Sequence, residues 1–262
     1  MHLSLPPFWA SWLPASACSQ PDASGSFFFS FLSVSVARLT EAARTQRTPT
    51  PLAGPGPAEL RIDVHTGTEA IENELQSLHD RLHTPGDSMH GIAHLPLLQD
   101  SRFTVHFREA DGERYVYIED TLAQRLAGYT VFNRLIEINK RADRVLRAPH
   151  SKFAPEYQRT GLATAVYRWA LEGGQCLMTG ARQSDGAHAL WDRLARDYEQ
   201  GYVHLHDKTL TYLGTEVYDE RLMDDLNTRR VLLARGWNIE HLAETSQMRT
   251  LVREDACLST QL

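Results

Sequence analysis

A tight turn between two alternating runs limits the folds that this chain can adopt. Residues 102–120 read RFTVHFREADGERYVYIED, and Asp111–Gly112 separates two stretches rich in β-branched and aromatic side chains. An Asp-Gly pair favours the left-handed backbone of a two-residue hairpin turn, so the two stretches predict antiparallel strands. Residues 126–138 and 143–155 are again apolar and β-branched, and they predict a third and a fourth strand of the same sheet.

Helical patterns lie on both sides of this group of strands. Residues 59–65 alternate like a half-buried strand, and Thr66 and Glu69 then match a capping box. The helix that follows carries apolar residues at helical spacing: Ile71, Leu75, Leu78 and Leu82. Pro85–Gly86 ends it.

After the fourth strand, helices and strands alternate. The expected elements are a helix over 161–171, a strand over 175–180, a helix over 184–201, strands over 202–207 and 210–214, and a helix over 216–234. This order predicts an α+β fold in which a mixed, mostly antiparallel sheet is flanked by helices on both faces.

Composition divides the chain into three parts. Residues 45–57 are rich in Pro, Gly and Thr, so residues 1–58 are expected to be a disordered leader and linker. Two alternatives stay open for this leader: a start codon assigned too far upstream, and an export signal that lacks Lys and Arg before Arg38. Residues 59–214 are the expected folded domain, and residues 215–262 a helical extension and tail.

Charge and cysteine content disfavour several classes of protein. The net charge of -6 argues against binding to nucleic acid or to an anionic membrane, and no apolar run reaches the roughly 18 residues of a membrane span. The cysteines Cys18, Cys176 and Cys257 form no CxxC pair, which indicates a reducing compartment and a cytoplasmic protein. Hydrolase, metalloprotease and nucleotide-triphosphatase motifs are not found.

The stretch from Gln158 to Trp169, QRTGLATAVYRW, changes from a polar turn into a helix without a break. The first backbone N–H groups of a helix have no internal partner and carry partial positive charge, so a phosphate group is a suitable ligand there. Gly161 lets a ligand approach the backbone, and Arg159 adds a positive charge. A turn that binds nothing is the competing interpretation.

The motif QRTGLA resembles the pyrophosphate loop of the GNAT-type N-acyltransferase superfamily, and compact bacterial and phage-type members show a similar order of elements over residues 59–214. The resemblance implies a GNAT-like fold and binding of acetyl-CoA as co-substrate. The acceptor would be a small-molecule or peptide amine, and the protein a monomer or a homodimer. The amides that would hold the pyrophosphate are those of Gln158, Arg159, Thr160, Gly161, Leu162 and Ala163.

One departure from the family pattern concerns the general acid. Members often have an Asn, an Ala three residues later and a Tyr four residues beyond, whereas this chain has Ser184, Ala187 and Trp191. An indole does not act as an acid at neutral pH, so Trp191 is interpreted as a core residue. Tyr198 or water would then protonate the departing thiolate.

His150, expected in the strand just before the loop, is the first candidate base for the attacking amine, and Glu137, expected in the previous strand, is the second. His204, His206 and Asp207 have a spacing that can bind metal, but without further ligands they indicate a solvated strand face, and no metal site is expected. Two other functions stay open: a regulatory binding module that has lost activity, and a secreted effector or toxin.

Overall fold

The computed structural model describes residues 67–250. The expected strand at 59–65, Thr66 of the expected capping box, the leader and the last twelve residues lie outside this range. The helices are α1 (Thr68–His83), α2 (Ala142–Val145), α3 (Leu162–Glu172), α4 (Asp185–Leu194), α5 (Glu220–Asp224) and α6 (Ile239–Ser246). The strands are β1 (Ala93–His94), β2 (Phe103–Ala110), β3 (Glu113–Asp120), β4 (Arg125–Asn133), β5 (Leu146–Phe153), β6 (Cys176–Met178), β7 (Gln200–His206), β8 (Thr209–Gly214), β9 (Thr228–Leu232) and β10 (Arg249–Thr250).

The ten strands within residues 67–250 belong to one mixed sheet of order β1-β2-β3-β4-β5-β6-β9-β7-β8-β10. Neighbours are antiparallel except β5 with β6 and β8 with β10, which are parallel. The predicted α+β class and the mostly antiparallel sheet are therefore confirmed.

Helices cover both faces of the sheet. Tyr129 and Phe132 are three residues apart on β4, so their side chains point to opposite faces. The hydroxyl of Tyr129 donates to Glu74 of α1 at 2.5 Å, whereas the ring of Phe132 packs on Tyr167 of α3 with centroids 6.2 Å apart. The flanking helices are thus confirmed on both faces. No helix between residues 67 and 250 is long and apolar enough to cross a membrane.

The hairpin forms where the sequence predicts it. Ala110 pairs with Glu113, and the two turn residues Asp111 and Gly112 have φ angles of 56° and 77°. Both lie in the left-handed region, as this turn requires. The helix predicted before the hairpin is also present as α1, and its residues Leu75 and Leu82 are buried.

The third strand is shorter than the sequence predicts. β4 ends at Asn133, and residues 134–145 form a turn and the short helix α2 instead of continuing two strands. The carboxylate of Asp143 accepts a hydrogen bond from the backbone N–H of Leu135 at 2.8 Å, which folds this connection back on itself. Leu135 and Ile138 are buried in a second apolar cluster below the other half of the sheet.

The prediction of one helix over 216–234 is wrong. Only Glu220–Asp224 is helical, because Asp225 then accepts from the backbone N–H of Asn227 at 2.8 Å and turns the chain. The next residues form β9, which pairs with both β6 and β7 inside the sheet. The sheet therefore extends past residue 214, the end expected for the folded domain. The helix expected over 184–201 is also shorter, since α4 ends at Leu194 and β7 begins at Gln200.

Gly128 of β4 allows β5 to approach closely. A Cβ atom at this position would lie 2.3 Å from Cδ1 of Phe153 and 2.5 Å from the carbonyl oxygen of Lys152. Such contacts are shorter than van der Waals distances, so any side chain here would displace β5.

We therefore expect Gly128→Ala to destabilise the protein by about 1–3 kcal/mol, as overpacking does. Gly186→Ala in α4 is the matched control, because a Cβ there meets nothing within 4 Å and alanine favours the helix by about 0.5–1 kcal/mol. Urea unfolding of the three proteins measures both effects. Equal stability of the two variants would contradict the close approach.

Candidate active site

β5 and β6 separate soon after they meet. They pair only at Leu146 with Cys176 and at Arg147 with Leu177. Beyond Arg147, β5 stays paired with β4 as far as Phe153, while no strand within residues 67–250 pairs with its opposite edge. An extended ligand can bind to such an edge as an added strand does.

The chain between β5 and α3 forms a tight loop at the open end of this gap. A short 3₁₀ turn, Pro155–Tyr157, is followed by Arg159 and Gly161 with φ angles of 60° and 92°. The hydroxyl of Thr160 donates to the carbonyl of Tyr157 at 2.6 Å, and the amide of Gln158 donates to the carbonyl of Phe153 at 3.1 Å. The loop is therefore fixed to the end of β5.

The first turn of α3 is open to a ligand. Ala165 donates its backbone N–H to Gly161 at 2.9 Å, and among the described residues no side chain caps the helix. In contrast, Ser184 caps α4 and Asn238 caps α6. A Cβ built on Gly161 meets nothing within 4 Å. Free amides, partial positive charge and open space fit the diphosphate of an acyl-CoA.

A buried carboxylate holds the loop in place. Asp120, at the end of β3, accepts from the hydroxyl of Tyr157 at 2.7 Å and from Nε of Arg102 at 2.8 Å. Asp120 is fully buried, and the guanidinium beside it keeps the pKa of its carboxyl well below the usual value. A second ion pair, between Arg125 and Glu156 at 2.6 Å, lies next to the first.

His150 and Lys152 of β5 project toward α1. Across the β4–β5 pairing, His150 lies opposite Val131 and Lys152 opposite Tyr129, so these side chains share one face of the sheet. Nζ of Lys152 donates to Glu74 of α1 at 2.6 Å, and Tyr129 donates to the other oxygen of the same carboxylate. Burial raises the pKa of Glu74, but these two hydrogen bonds outweigh it and the net shift is downward.

The environment of His150 favours its neutral form. Its pKa is lowered, first because surrounding protein removes water from the ring and second because of the charge of Lys152. The residue nevertheless keeps an exposed surface. A neutral imidazole beside open space can accept a proton.

Glu137 and Tyr198 lie elsewhere. Glu137 is exposed in the turn that follows β4 and is not on a strand as expected. Tyr198 is buried, and its hydroxyl donates to Glu172 at 2.6 Å, where α3 ends. Since α3 has eleven residues, this end is about 15 Å from the loop. Burial, followed by the hydrogen bond to Glu172, raises the pKa of Tyr198 to about 12.

Trp191 packs in the apolar core, and Ser184 caps a helix. Trp191 is 2% exposed and belongs to the main apolar cluster, which confirms its interpretation as a core residue. Ser184 accepts from the backbone N–H of Ala187 at 3.3 Å and caps α4.

Three polar residues at this site were not identified from the sequence: Glu74, Tyr129 and Lys152. Lys152 shares the strand face of His150 two residues earlier, which the period of a strand makes visible. Glu74 gives no such signal, because it comes from a helix on which many carboxylates face solvent.

Asp120→Asn should destabilise the protein by about 2 kcal/mol at neutral pH, because an amide replaces the charged acceptor beside Arg102. The folded-state pKa of Asp120 lies below its usual 3.8, so the wild-type advantage is complete above about pH 5 and is lost in acid. Denaturant unfolding at several pH values measures this. Asp111→Asn, at an exposed turn position, is the control, with a change within about 0.5 kcal/mol. A difference that grows in acid would contradict the assignment.

Comparisons with known proteins add little to this geometry. No protein-family model matches the chain, and no curated protein matches it. The solved structures to which the chain is similar include two chimeras of the spermidine N-acetyltransferase SpeG from Vibrio cholerae and hSSAT. The first is 20% identical and the match covers 47% of this chain and 68% of that one, with a TM-score of 0.28. The second is 16% identical and the match covers 62% and 90%, again with a TM-score of 0.28. At this TM-score the likeness carries no argument about function.

Proposed function

We propose that this protein is an N-acetyltransferase that moves an acetyl group from acetyl-CoA to an amine. The observation that carries the proposal is the gap between β5 and β6, which opens beside the first turn of α3, where no side chain of residues 67–250 caps the helix. An open strand edge and a set of free amides lie together there, one for an extended arm and the other for a diphosphate.

In this proposal the loop binds the diphosphate of the co-substrate. The backbone amides of the loop and of the first turn of α3 provide the donors: Arg159, Thr160, Gly161, Leu162 and Ala163. The backbone N–H of Gln158, included in the sequence motif, already donates to the carbonyl of Pro155 at 3.2 Å and is not a free donor. The pantetheine arm lies along the free edge of β5. A backbone N–H of that edge then stabilises the oxyanion that forms at the thioester carbonyl.

His150 acts as the base. The amine nitrogen attacks the thioester carbon, so a C–N bond forms as the C–S bond breaks, and the amine proton passes to the imidazole directly or through water. Coenzyme A leaves as the thiolate and takes its proton from solvent. Glu137 and Tyr198 take no part, because one is on an exposed turn and the other at the far end of α3.

The acceptor would approach from the face of the sheet on which α1 lies. His150 points to this side, and Glu74, Tyr129 and Lys152 line it. The acceptor class is a small-molecule or peptide amine, and the proposed place of action is the cytoplasm.

Gly161→Glu should abolish acetyl-CoA binding measured by calorimetry, because a carboxylate would occupy the loop and repel the diphosphate. Gly86→Glu is the matched control: its φ of 90° nearly equals the 92° of Gly161, and a side chain also meets open space there. The control reproduces the backbone strain of about 1–2 kcal/mol without touching the loop, so it should bind normally.

Two results would reject the cofactor site. If the intact protein does not bind acetyl-CoA, the transferase proposal fails and an interaction module becomes the better description. If both variants bind as the wild type does, the ligand occupies another place.

His150→Gln should lower kcat/KM for an amine acceptor by about 10²–10⁴-fold, the usual contribution of a general base. In the wild type the acid limb of the pH profile should lie below the usual 6.5 of histidine, since the pKa of His150 is lowered. Lys152→Met removes a positive charge that lowers this pKa, so the limb should move to higher pH. Lys140→Met, at an exposed position outside the site, should leave it unchanged. An unchanged kcat/KM in His150→Gln would exclude this base.

A further inference from the structure

Three histidines surround one buried carboxylate on the α1 face of the sheet. Nε2 of His79 and Nε2 of His83 lie 3.3 Å and 2.8 Å from Oε1 of Glu119. Nε2 of His106 lies 2.7 Å from the other oxygen, Oε2. This group is separate from the proposed acyl-transfer site, because β3 and β5 are two strands apart, about 10 Å.

Regular secondary structure brings these side chains together. His79 and His83 are four residues apart on α1, so they project side by side from one face of the helix. Glu119 of β3 lies opposite Thr104 of β2, which places it diagonally next to His106 two residues on. α1 packs over this part of the sheet and brings both imidazoles to the carboxylate.

The distances suit a metal ion. The ligand atoms of His79, His83 and Glu119 all lie within 4.8 Å of one another. Around a tetrahedral Zn²⁺ with bonds of about 2.0–2.1 Å, ligand atoms are separated by about 3.3 Å. Shifts of the side chains alone would bring all three to that separation.

We propose that His79, His83 and Glu119 bind one divalent transition-metal ion of the zinc class, and that His106 positions the carboxylate by donating to its second oxygen. Imidazole nitrogens select such ions over Mg²⁺ or Ca²⁺. A hydrogen bond to the ligand that does not itself reach the metal is typical of such sites.

Exposure supports an accessible ion with a free coordination position. The side chain of His83 is 55% exposed, whereas those of His79 and Glu119 are 13% and 9% exposed. An ion can reach the three ligands from the side of His83, and water can fill the fourth position. The bound ion would join the second half of α1 to β3.

The competing explanation is a network of hydrogen bonds without a metal ion, in which each imidazole donates an N–H to Glu119. Such a network needs no ion and has no preference for Zn²⁺. Metal binding to the protein and its loss in single variants distinguish the two.

The test uses the intact chain after treatment with a chelator. Calorimetry with Zn²⁺ should show one strongly bound ion, and Co²⁺ in its place should give visible d–d absorption of a low-symmetry site. His83→Gln and Glu119→Gln should each weaken Zn²⁺ binding more than tenfold, and His106→Gln by about 10–100-fold. Because His83 is largely exposed, its variant should keep the fold, which circular dichroism checks.

His206→Gln is the matched control. This exposed histidine on β7 lies 3.2 Å from Asp207 and offers a rival histidine–carboxylate pair. Zn²⁺ binding that survives in His206→Gln and is lost in His83→Gln supports the site. Absence of Zn²⁺ binding in the intact protein, or its loss only in His206→Gln, overturns the proposal. Neither readout depends on acyl transfer.

Discussion

The contact between β5 and β6 determines where the sheet leaves the edge of β5 open, at the proposed ligand site. It consists of two residue pairs whose apolar members, Leu146, Cys176 and Leu177, are fully buried. The opposite edge of β6 pairs with β9 at Leu177 and Met178, and Thr179 continues this contact by donating to the carbonyl of Arg230 at 2.9 Å. β6 therefore remains with the second half of the sheet, while β5 continues with the first, and the edge of β5 is left open.

The side chains on the two faces of β5 point toward different helices. On one face Ser151 and Phe153 meet α3 and the main apolar cluster. On the other, His150 and Lys152 meet α1. α1 carries Glu74 toward this place and His79 and His83 toward Glu119, so one helix supplies polar groups to both proposed sites. Anything that fixes α1 on the sheet also fixes Glu74 beside Lys152.

Elements with strong local signals could be predicted from the sequence. The hairpin at Asp111–Gly112 and the helix after Gly161 depend on a turn and a glycine that act within a few residues. β9 could not be predicted in this way, because its neighbours in the sequence are charged and alternate as on a helix surface. Its five residues form a strand because β6 and β7 each leave an edge for it.

The residues of the candidate sites could likewise be predicted only where they are close together in the sequence. The loop residues are contiguous, and so the sequence predicts them as one motif. The pair His79 and His83 is also visible as a helical spacing, but Glu119 and His106 join it only through the register of β2 with β3 and the packing of α1. Glu74 and Lys152, 78 positions apart, meet for that reason too.

The charges around His150 nearly balance on the proposed acceptor side. The proposed reaction needs a neutral imidazole, and burial first and the charge of Lys152 second lower the pKa of His150. A lone lysine there would also repel a protonated amine. Glu74 pairs with Lys152 at 2.6 Å and by itself raises the pKa of His150, but the net shift of that pKa stays downward. In the proposed reaction a protonated amine can then approach an overall neutral pair and release its extra proton to water, and the proton lost during attack passes to the imidazole. Replacing Glu74 alone would remove this compensation, so the lysine and the carboxylate are best understood as one unit.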